Sequence, residues 1–232
     1  MGRAQKLKQQ RKEEEERKRL EKRKEARRVA IMVVASILAV AVTVGLILLV
    51  NHLKKEEEIK ASEPRITQEL VLETTKGEIV IGLYGDDTPL TVQHVTDLVG
   101  RGFYDGLRWY RVEDFVVQTG SHYQSLMAEA EGGEPDQDKL QEAMMRDQEV
   151  GVVMDEIKHS NLRGTVGMAK PSDPQTQQPQ ANSATTDFYI LKRDTTSLDP
   201  YFTIFGKVTE GMDVVDSLET TDVLISATVR EK

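Results

Sequence analysis

Residues 109–120, WYRVEDFVVQTG, place an arginine, a phenylalanine and a glutamine on one short segment of alternating side chains. Side chains two apart on a strand share a face, so the period sorts Trp109, Arg111 and their alternates into core and pocket positions. Arg111 brings one cation into an apolar setting, and a cation on a buried face is costly unless it is paired or does chemistry. Spacing alone leaves two accounts open. Either Arg111 pairs with Glu113 or Asp114 on an exposed edge, or it belongs to a reactive site. The four histidines, His52, His94, His122 and His159, show no HExxH or other ligand spacing, so no metal and no cofactor is expected. Gly100 and Gly102 make no phosphate loop, and no nucleophile elbow is present. The chain has no cysteine, which removes disulfides and thiol nucleophiles and leaves the redox compartment open.

These residues must be positioned by a chain whose charge is unevenly spread. Residues 1–28 hold 13 Lys or Arg against 6 Glu, a net of +7, so the overall −8 leaves −15 on residues 29–232. That balance argues against nucleic acid as a partner of the C-terminal part. Between the two parts runs VAIMVVASILAVAVTVGLILLV, residues 29–50, uncharged and without proline. At about 1.5 Å per residue it spans roughly 33 Å, the thickness of a bilayer core, and it predicts a transmembrane helix. A cleaved signal peptide is the rival reading, with a shorter apolar region ending at small residues. The basic flank places the N-terminus in the cytoplasm and the larger part outside it.

Residues 5–28 read as a charged helix, with Glu13, Glu14 and Glu15 each four residues before Arg17, Lys18 and Arg19. It is either a topogenic signal or a contact with anionic lipid or RNA. Residues 51–66 are a polar linker. From residue 67 onward, ELVLETTKGEIVIGLYG alternates around a Lys76-Gly77 turn and predicts a hairpin. Thr88-Pro89 opens a helix with Thr88 as cap and Leu90, Val95, Leu98 and Val99 on its apolar side. Later strands are expected at 108–112, 115–119, 164–169, 186–192, 202–208 and 223–229, with a short helix near 211–218. Many short strands and two helices predict a mainly β, closed antiparallel barrel. An acidic insertion near 125–146 and a Pro/Gln-rich loop at 171–183 stand outside that pattern.

The run 76–120, then RGTVGMAK (163–170), NSATTDFYIL (182–191) and LDPYFTIFGKVTEGMDVVD (198–216), resembles the cyclophilin-type peptidyl-prolyl isomerases. The resemblance implies an eight-stranded barrel capped by two helices and, behind the expected transmembrane helix, a monomeric enzyme acting on proline-containing polypeptides. The reaction is rotation about an X-Pro amide, whose barrier of about 18–20 kcal/mol comes from resonance. A catalyst must favour the twisted amide over both planar forms. By resemblance Arg111 stabilises that twisted state and Gln118 orients it. Phe115, Val116, Tyr189 and Leu198 fall at proline-pocket positions, and Ala169 and Lys170 fall where main-chain groups hold the peptide.

The pattern also has departures. Asp187 stands where glutamine is usual, Lys170 for asparagine, Ser197 for tryptophan and Phe202 for histidine, and the Arg111–Phe115 spacing is one residue short. Two readings of Asp187 stand open: its carboxylate reaches Arg111 and diverts it from substrate, or it points to solvent. The alternatives to an enzyme are a proline-peptide binding module with little turnover, or a structural tether.

Overall fold

The computed structural model describes residues 17, 19–21, 23, 24, 27, 28, 32, 44–46, 48–50, 63–130 and 133–231. The chain divides into two compact units, Met1–Glu63 and Pro64–Lys232. In the first, every described position from 17 to 50 is helical. Most of the span expected at 29–50, and the linker up to residue 62, lies outside the described residues. Among those described, no helix is long and apolar enough to cross a membrane.

The second unit is built on one antiparallel sheet. Its strands are β1 (Gln68–Thr74), β2 (Gly77–Leu83), β3 (Leu107–Arg108), β4 (Arg111–Val112), β5 (Val116–Thr119), β6 (Thr165–Met168), β7 (Phe188–Leu191), β8 (Ile204–Glu210) and β9 (Val223–Glu231). They lie in the order β3-β9-β1-β2-β8-β6-β7-β5-β4. The expected hairpin is β1–β2, whose alternation places Leu70 opposite Ile81 and Leu72 opposite Ile79, all fully buried. Each such side chain contributes about 1.5–3 kcal/mol on burial.

The count of nine corrects the expected eight strands and their closed ladder. β3 and β4 are the two outer strands, yet they are consecutive in the chain with only Trp109 and Tyr110 between them. The chain changes partner there. Leu107 and Arg108 pair with β9, and Trp109 still donates its main-chain N–H to the Asp222 carbonyl at 3.2 Å. Arg111 and Val112 pair instead with β5. The strand that period draws through 108–112 is thus two half-strands around a kink. That kink separates a fully buried Trp109 from an Arg111 side chain 44% exposed. The common face predicted for the two residues does not form.

Four helices accompany the sheet among the described residues, two more than expected. The predicted pair are α1 (Pro89–Gly100) and α4 (Met212–Ser217). The acidic insertion supplies α2 (His122–Glu129) and α3 (Gln137–Gln148). In α1, Val92, Val95, Leu98 and Val99 face the core, whereas Leu90 is exposed. Proline occupies the first turn as predicted, but Thr88 does not cap the helix. Its hydroxyl donates to the Tyr84 carbonyl, and the carboxylate of Glu156 accepts from Leu90 N and Thr91 N at 3.2 and 2.9 Å.

Two apolar clusters result. The larger holds Trp109, Tyr104, Phe188, Phe205 and the inward residues of β1 and β2. The smaller is Tyr84, Val116, Tyr189, Leu191 and Ile204, with Phe115, Ala169, Phe202 and Ile66 packed against it.

Candidate active site

The hairpin β4–β5 sets the cation. Asp114 and Phe115 form its turn, closed by Glu113 N donating to the Val116 carbonyl at 2.9 Å, so Arg111 stands directly opposite Gln118. Arg111 Nη1 donates to Gln118 Oε1 at 3.2 Å and Nε donates to Glu113 Oε1 at 2.7 Å. Of the two accounts of Arg111 left open by spacing, the Glu113 pair is real, and the same guanidinium also sits at the edge of the smaller apolar cluster, 5.6 Å from the Phe115 ring centre. A guanidinium carries five N–H groups, so the cation keeps further donors, and Nη2 has no partner among the described residues.

Phe115, Val116, Ala169, Tyr189 and Phe202, predicted from separate segments, come together in that smaller cluster. Tyr189 meets Phe202 edge to face, with ring centres 5.8 Å apart. Its hydroxyl donates to Asn161 Oδ1 at 2.6 Å, which fixes the ring from behind. Gly167 makes room for it: a Cβ there would lie 2.5 Å from the Tyr189 hydroxyl. Burial raises the Tyr189 phenol well above its usual range, with the charge of Asp199 adding to the effect, so the hydroxyl is a permanent donor. Leu198 lies in a 3₁₀ turn, Thr196–Leu198, half-buried and outside this cluster.

Beside the cluster lies a groove of about 580 Å³ lined by Tyr110, Arg111, Gln118, Gln124, Ala169, Lys170, Pro171, Thr185 and Asp187. Ala169 meets the main-chain expectation in part. Its N–H is already given to the Asp187 carbonyl at 2.8 Å, which leaves its own carbonyl and the main chain of Lys170 for a peptide. The Lys170 ammonium is buried, 2.9 Å from Asp155 Oδ2 and 5.6 Å from the Phe202 ring centre. Asp155 was not legible as its partner, because nothing in the sequence marks which acid folds over residue 170.

Asp187 follows neither of its two readings. It makes no ion pair with Arg111; its Oδ1 accepts from the Tyr110 hydroxyl at 2.9 Å, and the Tyr110 oxygen accepts from Gln118 Nε2 at 2.6 Å. Burial pushes the Asp187 carboxyl up to about 7, with the charge of Asp147 adding to it and the Tyr110 hydrogen bond opposing it. The Tyr110 phenol is raised by burial and by the Asp187 charge. Sequence reading passed over Tyr110, which sits at the kink where the strand period fails. Arg193, also unpredicted, lies 5.6 Å from the Phe115 ring centre.

A curled antiparallel sheet thus carries an apolar cluster with Arg111 and Arg193 at its edge and a peptide-sized groove beside it. The chain belongs to the cyclophilin-type peptidyl-prolyl cis-trans isomerases: the sequence pattern of the family described as "Cyclophilin type peptidyl-prolyl cis-trans isomerase/CLD" matches residues 69–231. "Peptidyl-prolyl cis-trans isomerase 10" of Caenorhabditis elegans is 32% identical over 156 residues, covering 66% of this chain and 83% of that protein. A "Peptidyl-prolyl cis-trans isomerase" of Helicobacter pylori is 30% identical over 175 residues, covering 74% and 93%. The crystal structure of cyclophilin AquaCyp293 from Hirschia baltica matches with a TM-score of 0.52 at 21% identity, over 71% of this chain and 74% of that one. A Cryptosporidium parvum cyclophilin, crystallised in the presence of the dipeptide Ala-Pro, matches with a TM-score of 0.52 at 16% identity, over 71% and 100%. At those identities the solved structures establish the fold.

Proposed function

We propose that this isomerase turns X-Pro bonds by presenting Arg111 to the prolyl nitrogen while the ring of the proline rests on Phe115, Val116, Tyr189 and Phe202. As the amide twists, its nitrogen pyramidalises and gains a lone pair that the planar forms lack. A fixed cationic donor beside that nitrogen stabilises the transition state selectively. Arginine suits the role because it stays protonated and its fork is rigid. The observation that carries the reading is the cross-strand pair, Arg111 Nη1 on Gln118 Oε1 at 3.2 Å, which orients the guanidinium and leaves Nη2 without a partner among the described residues. Charge-assisted hydrogen bonds contribute about 1.5–3 kcal/mol, so Arg111→Ala should slow isomerisation of an X-Pro test peptide roughly 10- to 150-fold with the fold intact. Unchanged activity would remove Arg111 from the mechanism. Peptide binding without turnover in the unaltered chain would favour the binding-module alternative.

The charge pattern supports clients outside the cytoplasm. The +7 flank before residue 29 and the 22 uncharged residues that follow support a single-pass anchor with its N-terminus inside. Protease added to intact cells should then digest the barrel and spare residues 1–28. Protection of the barrel would reverse the orientation.

A further inference from the structure

We infer that Tyr110 is a positioning residue for the isomerase reaction, its hydroxyl set between Asp187 and Gln118 so that the Gln118 amide turns its oxygen toward Arg111. This rests on the reading of Arg111 given above. The argument is one of hydrogen-bond polarity. An amide side chain is a donor at one end and an acceptor at the other, and Arg111 can only donate. Gln118 therefore supports Arg111 in one of its two orientations and opposes it in the other.

Tyr110 selects between them. A phenol has one hydrogen, and an ionised carboxylate accepts only. With that hydrogen spent on Asp187 Oδ1 at 2.9 Å, the Tyr110 oxygen can only accept, and it accepts Gln118 Nε2 at 2.6 Å. Gln118 Oε1 is then left facing Arg111 Nη1 at 3.2 Å. Order runs from one acceptor-only group, Asp187, through Tyr110 and Gln118 to the cation. The three carriers lie on different elements: Asp187 just before β7, Tyr110 at the kink between β3 and β4, and Gln118 on β5.

A glutamine at 187 could donate or accept, and would leave the Tyr110 hydrogen free to turn to Gln118. Protonating Asp187 has the same tendency, since a neutral acid also holds a donor. The titratable and charged groups around the pair are Tyr104 and Asp147, whose fields reach it, with Arg111 and Lys170 lining the same groove. None of them makes an ion pair with Asp187 among the described residues.

The test compares the full-length chain with Tyr110→Phe, Asp187→Asn, Arg111→Ala and the double variant Tyr110→Phe/Arg111→Ala on an X-Pro test peptide, from about pH 5.5 to about pH 8.5. Removing a positioning hydrogen bond to a charged system is expected to lower kcat/KM about tenfold in Tyr110→Phe. In the Arg111→Ala background the same change should cost less than about twofold, because Tyr110 acts through Arg111. The unaltered chain should gain activity several-fold as Asp187 ionises, and Asp187→Asn should lose that rise. Equal losses from Tyr110→Phe in both backgrounds, or a pH rise retained by Asp187→Asn, overturn the inference. Full activity in Arg111→Ala overturns the reading of Arg111 beneath it, a result distinct from either. If Tyr110→Phe does not fold, the pH profile of Asp187→Asn decides alone.

Discussion

Glu113 holds Arg111 from the turn that follows β4: its Oε1 accepts from Arg111 Nε at 2.7 Å, with both side chains nearly half exposed. The Arg111 hydrogen bond draws the Glu113 carboxyl below its usual range. Exposed pairs of this kind contribute about 0–1 kcal/mol, so the pair orients more than it stabilises. It also lays a negative charge against the cation proposed to face the prolyl nitrogen. Glu113→Gln keeps an oxygen acceptor for Nε and removes that charge. We expect kcat/KM to rise up to about fivefold, with a melting temperature unchanged within error. A fall in kcat/KM would show that holding Arg111 in place outweighs the field of the carboxylate.

Asp187 gives a pH dependence of known sign. An unfolded aspartate titrates near 3.9, whereas in the fold this one is raised to about 7. Between roughly pH 4 and pH 7 the folded chain therefore holds a proton that the unfolded chain has released. Stability falls as pH rises through that window and levels off above it. Asp187→Asn should melt higher than the unaltered chain at about pH 8, by about 2–4 kcal/mol as an order of magnitude, and should match it near pH 4. Chemical denaturation at the two pH values checks this; equal stability at the higher one would mean that the carboxylate is fully compensated where it lies.

The N-terminus of α1 tests a contact that the sequence hides. Glu156 accepts from Leu90 N, Thr91 N and the Thr91 hydroxyl at 3.2, 2.9 and 2.8 Å, a carboxylate at the positive end of a helix. Its own N–H donates to the Thr203 hydroxyl at 2.8 Å, which ties it to the start of β8. Replacing a capping residue costs about 0.5–2 kcal/mol. Glu156→Ala should lose about that much in a urea titration and leave kcat/KM alone, while Thr88→Val should lose less at the helix end because Thr88 makes no cap there.

What the sequence made legible follows the range of the interaction. The hairpin β1–β2 and the opening of α1 at Pro89 depend on turn residues and on period two, and both stand as read; Gln118 was brought to Arg111 by resemblance alone. The pocket residues were reached through motif order, which encodes a fold without spelling out its contacts. Beyond that, partners separated by long stretches of chain escaped. Tyr110 and Asp187 are 77 residues apart, and Glu156 lies 65 residues beyond the Thr91 that it caps. The Asp187–Arg111 pair, one of two readings, does not form for a related reason: opposite charges suggest a meeting, but a phenol and an amide stand between them.

Among its described residues the acidic insertion contributes none to either core cluster, as its composition suggests, but it packs more than a loose decoration would. Its charge and lack of alternation suggest a decoration that a short Gly-Ser linker could replace without loss. Yet Leu140 and Ala143 are buried, and the Ser125 hydroxyl accepts the main-chain N–H of Arg108 on β3 at 2.9 Å. Just past the insertion, Asp147 accepts from the Ser121 hydroxyl, His122 N, Tyr123 N and His122 Nδ1, closing the end of α3 onto the start of α2. Burial pushes the Asp147 carboxyl up, but the hydrogen bonds from His122, Tyr123 and Ser121 outweigh it and hold the group below its usual range. A depressed carboxylate contributes stability that is present above the unfolded value near 3.9 and is lost as pH falls through the folded one. Asp147→Asn should therefore destabilise the chain at neutral pH by about 1–3 kcal/mol, with the deficit shrinking in acid. Replacing residues 125–146 by a linker should lower the melting temperature as well, because it strips β3 of the Ser125 acceptor and removes the buried Leu140 and Ala143. A linker variant that melts with the unaltered chain would return the segment to the status of a surface ornament, and Asp147 would then act on α2 alone.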